Sequence, residues 1–218
     1  MPINNIVVYT CITGDYDDLK EVQKATDVDY VCFRDKPMES ETWDVRPIEE
    51  YLPKEYWNLD NNRRAKWFKL HPHELFPEYE YSIWIDGSVT VKKDLTELVL
   101  DVDWGVFPHA SRHCIMEEAF ACADLRKDDP DLMAKQISHY IIGNNYPRGN
   151  GLAENTIIIR RHDKVIEINE DWWQEVLKWS KRDQLSFNYV CWKHGFEYTE
   201  LPGTVYSNDW FKVYGHKS

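Results

Sequence analysis

YSIWIDGS, at positions 81–88, is the stretch of sequence that decides the fold of this chain. A run of apolar and β-prone residues ends abruptly in an acid and two small residues, which is typical of a buried parallel strand at its carboxyl end. Open α/β sheets bind their ligands at that end of the strands. Asp86 is therefore expected at the rim of a sheet, where its carboxylate suits a divalent cation and its small neighbours let phosphates approach. The alternative is that Asp86 only caps the following turn.

Outward from this strand, short β-branched or aromatic runs alternate with helical patterns, which indicates an α/β fold. Strands are predicted at residues 5–11, 29–33, 43–46, 81–85, 104–107 and 156–159. Helices are predicted at residues 19–24, 61–73, 115–126, 130–142, 165–178 and 182–194. The helix at 19–24 and the two strands beside it form a predicted βαβ unit. Because the sequence shows no repeat and no linker, residues 1–218 are expected to form one domain.

The composition favours a compact protein and excludes several classes of function. A net charge of −12 over 218 residues disfavours a nucleic-acid binder, whose phosphate contacts need concentrated lysine and arginine. The sequence has neither a signal-peptide pattern nor the ~20 consecutive apolar residues of a membrane span, so we expect a cytoplasmic protein without a transmembrane segment. The five cysteines follow no zinc or CxxC spacing, which predicts buried free thiols. P-loop, dinucleotide-binding and serine-hydrolase motifs are absent from the sequence.

Two polar groups suit a phosphorylated sugar. Arg63 and Lys66 lie three residues apart on the helix predicted at 61–73, so this face could contact a diphosphate; an ordinary solvated basic helix fits equally well. Glu154 and Asn155 follow a glycine-rich loop and begin a strand, where they could hydrogen-bond sugar hydroxyls. The alternative for this pair is an Asx turn that closes the loop.

Asp183 and Gln184 stand at the start of the last predicted helix. Together they could orient a substrate hydroxyl or stabilise a positively charged sugar transition state, and the alternative for Asp183 is helix capping. His109 and His113 lie in a polar loop that could hold an acceptor or a metal, although a surface patch is the favoured interpretation. His216, near the C-terminus, could fold over a metal.

Taken together, several blocks of the chain resemble the glycosyltransferase-like domain shared by bacterial proteins and plant mucilage-related proteins. The blocks are residues 7–18 (VVYTCITGDYDD), 29–33 (DYVCF), 64–77 (RAKWFKLHPHELFP), 82–88 (SIWIDGS), 154–162 (ENTIIIRRH) and 182–187 (RDQLSF). More remotely the chain is similar to GT-A enzymes of families eight and thirty-four, and its narrower resemblance is to a glycosyltransferase module of a large algal virus.

The resemblance implies a GT-A fold, with a mostly parallel mixed sheet flanked by helices, that uses a UDP-sugar and Mn²⁺ or Mg²⁺. Asp86 falls on the first acid of the family's Asp-x-Asp metal motif, but Ser88 stands where the second Asp is usual, and His216 resembles a C-terminal metal ligand. Asp183 and Gln184 resemble a pair beside the anomeric carbon.

The resemblance also implies where the donor nucleotide binds. Thr10, Gly14 and Tyr16 fall in the first block, around the loop that receives uracil and ribose, and Asp35 lies near the base. Arg63, Lys66 or the neighbouring Arg64 would assist the leaving UDP.

The function that the resemblance implies is a metal-dependent, retaining transfer of a sugar from a UDP-sugar to a glycan or glycoprotein acceptor. The chain would act alone or as part of a longer multidomain protein, in the host cytoplasm if it is viral. Two alternatives stay open: a catalytically degenerate carbohydrate-binding protein, which Ser88 favours, and a metal-dependent hydrolase of nucleotide sugars.

Overall fold

A computed structural model describes residues 5–99 and 102–215 of the chain. The strands are β1 Ile6–Ile12, β2 Val28–Arg34, β3 Asp44–Pro47, β4 Tyr81–Ile85, β5 Val89–Val91, β6 Trp104–Pro108, β7 Ala153–Arg161, β8 Thr199–Glu200 and β9 Phe211–Val213. The helices are α1 Asn61–Leu70, α2 Pro72–Leu75, α3 Ile115–Asp124, α4 Pro130–Ser138, α5 His162–Lys178 and α6 Gln184–His194.

A mixed, mostly parallel sheet forms the centre of the molecule, in the strand order β3-β2-β1-β4-β7-β6-β8. The pairs β1–β2, β1–β4, β2–β3 and β6–β8 are parallel, whereas β7 runs antiparallel to both β4 and β6. Every residue of β1 and β4 is buried, as their continuous apolar sequences predict for central strands. This architecture confirms the predicted α/β class and is consistent with a GT-A-like fold.

Two layers cover the sheet, and alternate residues of β1 point into each of them. On one face Val7 and Tyr9 pack with side chains of the helices, including Phe68 of α1 and Trp172 of α5. On the other face Val8 packs with the small sheet formed by β5 and β9 and with apolar residues near position 98. The helices therefore lie against one side of the carboxyl ends of β1 and β4.

The helix predicted at 19–24 is wrong. Residues 19–24 have no helical structure, because their backbone groups bond to other segments instead. The carbonyl of Lys20 accepts the indole N–H of Trp43 (2.9 Å), and the carbonyl of Glu21 accepts the hydroxyl of Thr90 (2.7 Å). The strands β1 and β2 are parallel neighbours as expected, but the connection between them is an irregular loop rather than a helix.

Three other predicted helices end earlier than expected, and the smallest difference is at α3, which is predicted to reach residue 126 and ends at Asp124. The helix predicted at 61–73 stops at Leu70, and α2 restarts with Pro72 at its first position, where the missing N–H of proline costs nothing. The helix predicted at 130–142 stops at Ser138 and continues as a π-helical turn over His139–Gly143. Within the described ranges, no helix combines the length and the apolar character needed to cross a lipid bilayer.

Candidate active site

A cavity of about 630 Å³ opens beside the carboxyl ends of β1 and β4. Its walls come from the loop after β1, one face of α1, the turn after β4, the loop between β6 and α3, the start of β7 and the start of α6. The lining includes Thr13, Gly14, Tyr16, Asp17, Asn61, Lys66, Lys69, Trp84, Asp86, Gly87, His109, Arg112, Glu118, Glu154, Asn155, Thr156, Arg182, Asp183, Gln184 and Tyr206. This is the end of the sheet at which the sequence predicts ligand binding.

The carboxylate of Asp183 lies between two lysines of α1 in the wall of the cavity. Its oxygens are 2.8 Å from Nζ of Lys66 and 2.7 Å from Nζ of Lys69, and the three side chains are 5%, 14% and 2% exposed. Burial alone would raise the pKa of Asp183, but the two ammonium groups outweigh it and hold this pKa well below its usual range. Asp183 is therefore ionised.

The same carboxylates act differently on the two lysines. Burial tends to lower the pKa of Lys66, but Asp183 and Asp86 outweigh it and raise that pKa. Lys69 is the more deeply buried of the two, and burial lowers its pKa despite the same two carboxylates. The three-residue spacing puts both lysines on one face of α1. Asp183 makes no capping hydrogen bond to α6, so the capping interpretation of its side chain is wrong.

Asp86 extends this charged cluster across the cavity. Its Oδ1 accepts the indole N–H of Trp84 at 2.7 Å and lies 3.6 Å from Nζ of Lys69. The backbone N–H of Asp86 donates to the carbonyl of Thr156 on β7 (2.9 Å), which fixes the turn at the end of β4. The carboxylate is 30% exposed, so its free edge faces the cavity.

Glu154 and His109 form a second pair of titratable groups in the wall. Nδ1 of His109 accepts the backbone N–H groups of Ser111 and Arg112, so its proton is on Nε2, 3.3 Å from Oε2 of Glu154. Oε1 of Glu154 accepts the hydroxyl of Thr156 at 2.8 Å. Burial raises the pKa of Glu154, with a smaller contribution from the charge of Asp86. Burial has the opposite effect on a histidine and lowers the pKa of His109, which favours the neutral imidazole.

Two buried amides in the wall have hydrogen-bonding capacity to spare. Asn155 is 2% exposed, and neither of its side-chain polar atoms has a partner among the described residues. Gln184 is 6% exposed, and its Nε2 lacks a partner in the same part of the chain. Buried polar groups are normally hydrogen-bonded, so these amides are suited to a polar ligand.

The structure brings together eight of the predicted site residues at the cavity, namely Gly14, Tyr16, Lys66, Asp86, Glu154, Asn155, Asp183 and Gln184. Four others lie outside its lining. Thr10 is buried within β1, and Ser88, between β4 and β5, is 3% exposed. Asp35 accepts the backbone N–H of Gly14 (2.6 Å), which holds the first loop from behind.

Arg63 is the fourth, and its guanidinium joins two helices. At the end of α5, Nε donates to the carbonyl of Val176 (3.1 Å) and Nη2 donates to the carbonyl of Trp179 (2.7 Å). Nη1 donates to the carboxylate of Asp60 at 2.8 Å. The neighbouring Arg64 hydrogen-bonds Asn61 and is likewise outside the lining. The cations in the wall are therefore the two lysines, Arg112, Lys181 and Arg182 rather than Arg63.

Only part of the predicted metal site, made of Asp86, Ser88 and His216, lies within the described residues. Ser88 is buried outside the lining of the cavity, and His216 lies outside the described residues. Across residues 5–99 and 102–215, three ligating groups do not gather at Asp86, and the ammonium of Lys69 is its nearest charged neighbour. Asp86 is therefore the predicted metal ligand that lines the cavity, and the metal requirement stays a prediction.

From the sequence, Trp84 and Glu118 were not predicted at the site, and Lys69 was only part of the basic helix predicted at 61–73, without an assigned role. The spacing of Lys69 from Lys66, one helical turn along α1, was the signal that could have identified it. Glu118 binds Nε of Arg112 at 2.6 Å and carries no comparable signal, because only the packing of α3 against the sheet brings it to the cavity.

Comparison with known proteins adds to this geometry. Residues 1–207 match the model of the TOD1/MUCI70 family, described as a glycosyltransferase-like domain. The chain belongs to this family. The match confirms the resemblance to mucilage-related glycosyltransferase-like proteins that the sequence blocks predicted.

Two curated relatives of the family come from Arabidopsis thaliana. The chain is 25% identical over 213 residues to a protein named "Probable hexosyltransferase MUCI70", covering 85% of this chain and 37% of the relative. It is 24% identical over 220 residues to "Alkaline ceramidase TOD1", covering 85% of this chain and 48% of the relative. The chain thus spans less than half the length of either relative.

Proposed function

We propose that this chain transfers a sugar from a UDP-sugar to a hydroxyl of a glycan or glycoprotein acceptor. The observation that carries the proposal is the cluster of Lys66, Lys69, Asp183 and Asp86 in one wall of a cavity at the carboxyl ends of β1 and β4. The family model and the relative named a probable hexosyltransferase support the same class of reaction.

The diphosphate of the donor needs positive charge around it. Lys66 and Lys69 supply two ammonium groups from one helix face, and Arg182 lines the cavity beside them. Fixed charges in a site shielded from water stabilise the negative charge that develops on the departing UDP without having to reorganise. These cations are part of the chain and can stabilise the leaving UDP by themselves, and the Mn²⁺ or Mg²⁺ requirement stays a prediction carried by Asp86.

Breaking the bond between the anomeric carbon and the phosphate leaves positive charge on the sugar. Asp183 is ionised, and Gln184 has a spare amide N–H beside it, so the two can stabilise that charge and position a sugar hydroxyl. The oxygen of the acceptor hydroxyl then bonds to the anomeric carbon, and its proton passes to the departing β-phosphate of UDP. Attack from the face that UDP leaves gives the retention of configuration that we propose.

Asn155 and Glu154 lie in another part of the wall, where their oxygens and the spare amide suit hydroxyl groups. The name of the second relative raises hydrolysis of a lipid amide as another activity in the family. The side chains that carry the proposal are charged or polar and suit a sugar and a diphosphate better than acyl chains.

The test is a panel of UDP-sugars incubated with the purified chain, with and without Mn²⁺ or a chelator, and with and without oligosaccharide acceptors. Mass spectrometry then follows UDP, free sugar and extended acceptor. A transferase gives UDP together with extended acceptor, whereas a nucleotide-sugar hydrolase gives UDP and free sugar alone. A carbohydrate-binding protein is stabilised by ligand in a thermal melt without releasing UDP.

Asp86→Asn should abolish turnover and leave the fold intact, whereas Asp209→Asn, which changes a carboxylate that is 80% exposed, should have full activity. Full activity of Asp86→Asn would contradict the metal prediction, and a chain that neither binds UDP nor releases it from any donor would contradict the proposal. A requirement for Mn²⁺ would support the metal prediction. Activity in the chelator would refute it without touching the transfer reaction.

A further inference from the structure

A second group of ligating side chains lies outside the cavity, where α1 meets α2 and α5. His71 connects α1 to α2, Glu74 is on α2, and Glu170 is on α5. One ligating atom from each of these residues lies within 4.8 Å of the other two. None of the three lines the cavity, so the proposed transfer reaction does not account for them.

The hydrogen bond of His71 fixes which of its nitrogens can bind a ligand. Nδ1 lies 2.7 Å from the carbonyl oxygen of Trp67 and must donate its proton there. The ring is 2% exposed, stacks on Trp67 at 4.7 Å and meets the edge of Trp173 at 5.6 Å. With its proton on Nδ1, the buried neutral imidazole carries its lone pair on Nε2. Metal-binding histidines are oriented in this way, with the other ring nitrogen bonded to a carbonyl.

The lone pair of His71 Nε2 lies beside the carboxylate of Glu170. Nε2 of His71 lies 3.7 Å from Oε1 of Glu170, which is too far for a hydrogen bond. This is a short separation for a ring nitrogen and a carboxylate oxygen that are both hydrogen-bond acceptors. Ligand atoms about 2.1 Å from a tetrahedral metal are roughly 3.4 Å apart, which is near this separation. Oε1 of Glu170 is also held by Nε2 of His73 at 3.0 Å, so its position is fixed from outside the cluster.

We infer that His71 Nε2 and the carboxylates of Glu74 and Glu170 bind a zinc ion, with water as the fourth ligand. One imidazole and two carboxylates favour a transition metal such as zinc over Mg²⁺ or Ca²⁺, which take oxygen ligands. Glu74 is exposed and the side chain of Glu170 is 45% exposed, so the ion can enter from solvent. The ion would tie the end of α1, the helix that carries Lys66 and Lys69, to α5.

The test is a calorimetric titration of the chelator-treated chain with Zn²⁺. One ion should bind per chain, and Glu170→Gln and Glu74→Gln should each weaken binding at least about tenfold. His73→Asn, which releases Glu170 from its positioning partner, should weaken binding about 10- to 100-fold. The matched control is Glu167→Gln, which changes an exposed carboxylate one turn away on α5 and should bind Zn²⁺ as the wild type does.

A thermal melt supplies an independent readout, because Zn²⁺ should raise the melting temperature of the wild type and of Glu167→Gln but not of Glu170→Gln. Asp86→Asn should keep its zinc affinity, which separates this site from any metal in the cavity. His71→Ala could fail to fold, so the glutamate variants decide the outcome. Absence of stoichiometric binding, or equal affinities in Glu170→Gln and Glu167→Gln, would overturn the inference.

Discussion

Asp183→Asn should destabilise the fold strongly, because it removes the carboxylate that lies between the two buried ammonium groups of Lys66 and Lys69. The carboxylate is 5% exposed and contacts Lys66 at 2.8 Å and Lys69 at 2.7 Å. Removing one partner of a buried ion pair costs about 3–5 kcal/mol, since the remaining charge stays in a low dielectric. For a chain of this size each kcal/mol shifts the melting temperature by about 2–4 °C, so the melting temperature should fall by roughly 6–20 °C.

Urea denaturation followed by tryptophan fluorescence measures this loss of unfolding free energy. The matched control is Asp163→Asn, whose carboxylate is 60% exposed beside Arg161 and should change the unfolding free energy by less than about 0.5 kcal/mol. If the urea midpoint of unfolding of Asp183→Asn equals that of the wild type, the proposed contribution of this ion-pair cluster to stability is refuted.

The pH dependence of stability provides a second readout on the same residue. The pKa of Asp183 is lower in the folded chain than the unfolded value of about 3.9. Its contribution is therefore fully present above pH 3.9 and is lost as the pH falls through the folded pKa. Asp183→Asn should lack this part of the acid destabilisation, and an acid limb identical to the wild type would contradict the assignment.

Three further variants test other parts of the site. Arg63→Met should lower the unfolding free energy by about 1–3 kcal/mol and leave UDP affinity unchanged, because Arg63 joins α1 to α5. A loss of UDP affinity without a loss of stability would instead show that Arg63 contacts the donor. Burial raises the pKa of Glu154 above the ordinary glutamate value of about 4.3, so the acid-side decrease in turnover should occur at a higher pH than an ordinary glutamate would give. Glu154→Gln should lose this acid-side decrease, and an unchanged pH profile would exclude a role for Glu154 in turnover. Gly87→Ala would place a methyl group 2.8 Å from Cγ1 of Ile12 and should cost about 1–3 kcal/mol in a urea titration, whereas wild-type stability would show that the turn yields freely.

The central strands could be predicted from the sequence because their signal is local. Five consecutive buried residues before an acid gave the bounds Tyr81–Ile85 and placed Asp86 at the ligand-binding end of the sheet. The segment 19–24 shows the limit of this reasoning. It has a weak helical pattern, and the bonds from Trp43 and Thr90 to its carbonyls outweigh that preference.

The candidate site was only partly predictable, because its members meet through long-range packing. His109 and Glu154 are 45 positions apart and become neighbours through the antiparallel pairing of β6 with β7, whose register shifts at a bulge after Val106. Arg63 could not be separated from Lys66 by helical spacing alone. The choice depends on the carbonyls that the end of α5 presents to α1, which no local pattern reveals.

The most direct test of the central claim, that this cavity binds a nucleotide diphosphate through its lysines, is calorimetry with UDP and with uridine. The account predicts that the wild type binds UDP, and that Lys66→Gln weakens UDP about tenfold or more while leaving uridine unchanged, since one charge-assisted contact to the diphosphate is lost. Lys135→Gln, at an exposed position on α4, should bind UDP as the wild type does. Failure of the wild type to bind UDP, or equal UDP affinity in the two lysine variants, would contradict the claim.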